Sequence, residues 1–151
     1  LGSTNTNDGD ATATTATNPV ANTLMAALPS DLRAVMQPMT IYTDNTGGGS
    51  DNASYVTKTT DYLPLLAEYE IFGTRSYANS AEKNYQAQYA YYSAGNSKVK
   101  YRHSATSSTA WWWERSPYYS NSNSFCLVAT TGTANFDSAR YSIGVAPAFR
   151  V

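Results

Sequence analysis

A chain of 151 residues with a net charge of −1 has room for one hydrophobic core and a tail, not for two domains. Only 14% of its residues are charged, 13 of the 151 are Tyr, and Ser, Thr and Asn together form roughly a third of the sequence. This balance excludes binding to nucleic-acid phosphates, because ten Lys and Arg against eleven Asp and Glu give no basic excess.

No run of about 18 apolar residues is present, so no membrane insertion is expected. The start at Leu1 rather than Met implies a processed product, an excised domain or an omitted upstream segment. Residues 1–18, LGSTNTNDGDATATTATN, have too little apolar surface to offset ordering and read as a polar linker or docking arm. The arm would be the route to a homo-oligomer, and residues 19–151 form the domain. Asn18 as cap and Pro19 at the first helical position predict a short amphipathic helix with Val20, Leu24, Met25 and Leu28 on one face. Pro29 interrupts it, and a second turn carries Leu32, Val35 and Met36 up to Pro38. Met39 to Tyr42 reads as a short strand.

Thr43 to Ser54, TDNTGGGSDNAS, reads as a flexible exposed loop. Its Asp44, Asn45, Asp51 and Asn52 offer oxygen ligands of the type calcium takes, but their spacing matches no EF-hand, and no metal site is assigned. Tyr62 to Leu66 reads as a buried apolar segment, followed by a helical turn from Glu68 to Phe72 that Gly73 closes. Residues 80–93 predict a helix with Tyr85, Tyr89 and Tyr92 on its core face; a tyrosine binding platform is the minor reading. Strand-like segments follow at Val99 to His103, Ala110 to Arg115, Ser124 to Thr130 and Tyr141 to Val151, with turns at Pro117 to Asn123 and Gly132 to Ala139. Helices first and antiparallel strands last make the fold class α+β.

Catalytic parts are scarce. The single histidine, His103, reads as exposed or singly hydrogen-bonded, and the single cysteine, Cys126, alternates like a core strand residue. Glu68 and Glu70 are two apart on one turn and point different ways. Gly47 to Gly49 lacks the Lys-Ser/Thr and the helix of a phosphate loop. Glu114 and Arg115 predict a partly buried ion pair or an Arg held by a carboxylate. No catalytic residue, no cofactor and no enzyme activity is therefore expected. The three tryptophans at 111–113 alternate across a strand, so one face is expected to anchor the core while the other meets solvent or a neighbour.

Two late loops have the chemistry of an antibody paratope, in which Tyr gives area at low rotamer cost and Ser and Asn give adaptable hydrogen bonds. The first holds Tyr118, Tyr119, Asn121 and Asn123; the second holds Asn135, Asp137, Arg140 and Tyr141. These eight residues are the predicted ligand-binding set, and the two loops can lie at one end of a sheet.

LPLLAEYEIFG at 63–73, WWERSP at 112–117, FCLVATTG at 125–132 and GVAPAFRV at 144–151 resemble a domain of unknown function common in gut bacteria and their phages. Its pattern runs L-L-x-x-E-E-x-F-G, W-W-L-R-S-P, F-x-x-V-x-x-x-G and G-V-R-P-A-F-x-V. The likeness marks Trp112, Trp113, Arg115, Pro117, Phe125 and Phe149 as structural core. Two departures, Glu114 for Leu and Ala146 for Arg, imply a lost salt bridge or packing contact, and Asp8 to Thr17 replaces a Gly-Gly-Trp segment. The order of strands and polar loops is also similar to C-type-lectin-like domains that display variable residues on one face. That resemblance implies a single C-type-lectin-like domain and a non-enzymatic receptor-binding role, at the tip of a phage tail or fibre that meets a bacterial surface glycan or protein. The alternatives are a structural or decoration module of a capsid or filament and a bacterial cell-surface adhesin. All imply an extracellular location, on a virion or cell surface. The E-P-N and Q-P-D calcium-sugar motifs are absent, so calcium-dependent sugar binding does not carry over.

Overall fold

The computed structural model describes residues 23–151. The arm at 1–18, the segment at 8–17 and the predicted helix start at Asn18 and Pro19 lie outside the described residues. The described chain opens with a 3-10 turn, Met25–Ala27, and a six-residue helix, α1 (Ser30–Val35), which begins after Pro29 and carries Asp31 in its first turn. Met25, Met36 and Leu63 form one small core, with Leu24, Leu28 and Leu32 packed around it.

The chain then makes an antiparallel hairpin of β1 (Met39–Asp44) and β2 (Val56–Asp61), in register from Met39 opposite Asp61 to Asp44 opposite Val56. The sequence pattern does not reveal β2: in VTKTTD only the two end residues are buried, so the segment has no apolar alternation to show. Helix α2 (Glu68–Phe72) comes next and ends at Gly73, whose φ of +70° is the left-handed cap expected there.

The helix predicted over 80–93 does not form as one element. Ser80–Asn84 is a 3-10 turn capped by Asn79, and only Ala90–Ser93 is α-helical (α3). Tertiary bonds pull the chain between them straight: the Tyr89 N–H donates to the Glu70 carbonyl at 2.9 Å, and the Gln88 amide donates to the Ile71 carbonyl at 3.0 Å. Tyr92 is buried as predicted, while Tyr85 and Tyr89 are exposed, with Tyr85 stacked on Tyr42 at 4.4 Å.

Strands β3 (Lys100–Arg102) and β4 (Ala105–Ala110) pair as a second hairpin. The main sheet is built from β5 (Trp112–Pro117), β6 (Ser124–Val128), β7 (Ala134–Ser138) and β8 (Gly144–Val145), in the order β7-β6-β5-β8. β6 runs antiparallel to both β5 and β7, and β8 runs parallel to β5. The fold is α+β with several antiparallel pairs, but the helices do not all come first, since the β1–β2 hairpin precedes α2 and α3.

Strand β5 is buried on both faces, so the expectation that one Trp face meets solvent is corrected for Trp112 and Trp113. Trp112 packs with Ile71, Tyr92 and Val128, and Ala146 fills in where the resemblance led to an Arg. Trp113 packs with Leu65 and Leu127, with Phe125 edge-on at 6.4 Å. Pro117 is buried as expected, but Phe149 is 45% exposed and does not belong to the core. The reason is local: after β8 the chain is tied only by single bridges, Leu65 to Pro147 and Gln37 to Arg150, and Phe149 between them faces out.

Candidate functional site

The motif residues at 112–117 serve a buried polar frame. Arg115 donates from Nη1 and Nη2 to the two Glu70 oxygens at 2.6 and 2.7 Å, from Nη1 also to the Leu65 carbonyl, and from Nε to the Thr43 hydroxyl. The Arg is therefore held by a carboxylate, but by Glu70 and not by its neighbour Glu114. Glu68 points the other way, as its spacing from Glu70 requires, and accepts the backbone N–H groups of Ser76, Tyr77 and Ala78 at 2.9–3.0 Å. Glu82 accepts from the Asp44 N–H at 2.9 Å, the Ser116 hydroxyl at 2.6 Å and the Gln86 amide at 3.1 Å. Burial pushes the Glu82 carboxyl up to about 7 in spite of these donors.

Glu114 differs from the other three. It is fully enclosed, and neither carboxyl oxygen has a described hydrogen-bond partner. Burial first, then the charges of Glu68 and Glu82, push its carboxyl well above the ordinary range. Its carboxyl lies within 4.8 Å of the Glu68 carboxyl and of the Cys126 thiol. Cys126 is buried, as its strand pattern predicts, and burial raises its thiol well above the ordinary value, so it is held as an unreactive thiol.

The solvent-facing end of the sheet, where β5 and β7 end and β6 begins, brings the two predicted loops together. The Tyr118 N–H closes the turn on the Ser124 carbonyl, and the Ala139 N–H donates to the Asn123 carbonyl at 2.9 Å. There Tyr118 stacks on Phe136, with ring centroids 3.9 Å apart and planes 21° apart, and meets Tyr77 and Tyr119 edge-on. The Arg75 guanidinium lies 4.2 Å over the Tyr119 ring and is itself fixed by Asp51 at 3.1 Å. The result is a half-buried aromatic cluster with a cation at its margin.

The other predicted ligand residues are arranged less simply. Asn121 and Asn123 stay within the turn, with Asn121 accepting the Asn123 N–H and Asn123 accepting the Ser124 hydroxyl. Asn135 and Asp137 lie in strand β7 and not in a loop, because all five residues of that strand pair with β6. By strand alternation they leave the face opposite to Phe136. Arg140 and Tyr141 form their own exposed pair, Nη2 donating to the hydroxyl at 3.0 Å, on the connection to β8.

Arg75, Tyr77 and Phe136 are additions that sequence reasoning does not supply, since residues 75 and 77 are brought to the site by tertiary ties such as the Tyr119 N–H bond to the Tyr77 carbonyl and the Tyr77 N–H bond to Glu68. The glycine loop, expected to be flexible, is packed instead. Gly49, at φ +68°, runs so close to the turn that a Cβ there would lie 3.1 Å from the Asn121 Cα, and Gly47 approaches the Pro117 ring. Its carboxylates are committed within the chain: Asp44 is buried and accepts from Thr46, Gly47 and Asn79, and Asp51 accepts the Ser80 N–H.

The family described as "Domain of unknown function (DUF6273)" matches residues 20–151. The chain belongs to that family. No curated protein and no solved structure matches it. In this family member the buried frame joins Leu65, Glu70 and the 115–116 segment, so the matched region contains both the frame and the aromatic end.

Proposed function

We propose that this is a non-enzymatic binding domain of C-type-lectin-like type, which presents the aromatic end of its main sheet to a bacterial surface glycan or protein. The single observation that carries this reading is the Tyr77, Tyr118, Tyr119 and Phe136 cluster with Arg75 beside it, flat rings left half open to solvent on a rigid strand end. Three buried carboxylates are spent on structure, Glu68 and Glu82 holding backbone N–H groups and Glu70 holding Arg115, and the fourth, Glu114, is sealed from solvent. The tip of a phage tail or fibre protein, extracellular on the virion, is the setting that fits such a domain. The lectin-like assignment draws support from a Trp-bearing central strand flanked by antiparallel β6 and closing β8.

Replacing Tyr118 and Tyr119 with Ala, together and with the fold checked by circular dichroism, is expected to abolish adsorption to host cells or binding on a glycan array. Unchanged binding by the folded variant rules the reading out. A second reading, a decoration module of a capsid or surface filament, is favoured by the exposed Val145, Phe149 and Val151. It predicts loss of assembly, with adsorption of the isolated domain intact, when Phe149 is replaced by Ser.

A further inference from the structure

The opposite end of the main sheet carries a cleft of about 500 Å³ that plays no part in either proposed role. It lies where β5 begins beside the end of β6 and the start of β8, because Trp112 faces Val128 on one side and Gly144 on the other. Trp111, the tryptophan left outside the core, is 37% exposed and lines it together with Arg102, Thr109, Thr130 and Ser142. The Trp111 backbone is fixed there: its carbonyl accepts the Gly144 N–H at 2.9 Å, and a Cβ at residue 144 would sit 2.9 Å from that oxygen. Only glycine permits so close an approach.

The polar groups of this cleft are unspent. The hydroxyls of Thr109, Thr130 and Ser142 and the Arg102 guanidinium are bonded to no described residue. The local sequence is basic: from Ser97 to Trp113 the chain carries Lys98, Lys100 and Arg102 with no Asp or Glu, in a protein whose net charge is −1. A tryptophan face for the C–H surface of a sugar ring, three free hydroxyls for its oxygens and one planar guanidinium for an anion form a complementary set.

We propose that this cleft binds a carboxylate-bearing pyranose, the repeating unit of an acidic polysaccharide. A carboxylate is favoured over a nucleic-acid chain because a phosphate backbone needs a row of free cations. Here Lys98 and Lys100 place their ammonium groups over the rings of Phe72, Tyr92 and Trp112, at 5.5–5.7 Å, which leaves the single guanidinium of Arg102. The cleft is separate from the aromatic end and does not depend on the role proposed for it.

The test is an NMR titration that follows the Trp111 indole N–H with D-galacturonate and with D-galactose, its neutral counterpart. Galacturonate is expected to bind about tenfold more tightly, the worth of one charge-assisted hydrogen bond. Arg102→Gln, a substitution at an exposed position, should bring the two sugars within about twofold of each other. Trp111→Ala, followed through the Gly144 amide N–H of the same cleft, should remove both responses, while Tyr119→Ala should change neither. Four results overturn the proposal: equal binding of the two sugars, no response to galacturonate up to about 100 mM, tighter binding of adenosine monophosphate, or a galacturonate site lost in Tyr119→Ala and kept in Arg102→Gln.

Discussion

The interior of the Trp-bearing strand and its exposed end use similar residue types to opposite effect. Inside, charged groups are immobilised by several bonds each: Arg115 donates to Glu70, Leu65 and Thr43, and Glu68 accepts three backbone N–H groups. At the end, rings are held by one stacked pair, by edge contacts and by an overlying cation, and they stay half-exposed. The first arrangement joins three sequence-distant segments into one body; the second leaves surface free for contact. Rigid support under an open face is what a binding site needs, because little order is then lost on association.

The sharpest way to break this division is to remove the centre of the frame. Arg115→Met leaves Glu70 buried without its cation, and the loss should be about 3–5 kcal/mol, a large part of the stability of a domain this size. Urea unfolding measures it. A loss below about 1 kcal/mol would show that Glu70 is rehydrated and that the frame does not support the sheet end.

A second prediction concerns pH. In an unfolded chain Glu82 titrates near 4.5, whereas in the fold its carboxyl is pushed up to about 7. Between those values the folded state holds more protons than the unfolded state, so stability falls as pH rises. The contribution is fully present below about pH 4.5 and gone above about pH 7, a change of about 3 kcal/mol. Glu114, raised by burial, acts in the same direction. Denaturant midpoints at pH 5 and pH 8 should therefore differ in favour of pH 5, and Glu82→Gln should flatten the profile.

Glu114 tests the frame from the opposite side. Its carboxyl is the one member without a described partner, so Glu114→Leu should stabilise the domain, by about 1–3 kcal/mol, where every other substitution in the frame destabilises it. A fall in melting temperature would mean that the acid is satisfied by a bound water or ion near Glu68 and Cys126.

Local signals in the sequence are legible and long-range ones are not. Helix α2 ends at Gly73 and β6 begins at Ser124 as the pattern predicts, because a left-handed cap and a run of apolar strand residues act over a few positions. The tyrosine spacing from 85 to 92 suggests one helix, but bonds to Glu70 and Ile71, both far away in sequence, override it. Strand β7 reads as a loop because Asn135 and Asp137 look like turn residues, and only pairing with β6 makes them a strand. For the same reason Tyr118 and Tyr119 can be named from the sequence while Arg75 and Tyr77, brought beside them by bonds to Asp51, Glu68 and Tyr119, cannot.

The smallest stability effect should come with the largest functional one. Tyr119 is half-exposed and its ring is engaged chiefly by the Arg75 guanidinium, at 4.2 Å, and by the Tyr118 edge. Tyr119→Ala should cost less than about 1 kcal/mol of folding stability, since a partly solvated cation–π contact is worth no more. Arg75 would remain anchored by Asp51 and by the Ala78 carbonyl, so the site would lose one ring and keep its shape. If binding occurs at this end, a folded variant with near-normal melting behaviour should adsorb at least tenfold less, a separation between stability and recognition that a purely structural tyrosine would not produce. If stability and adsorption instead fall together, the aromatic cluster is an extension of the frame, and the contact surface lies elsewhere on the domain.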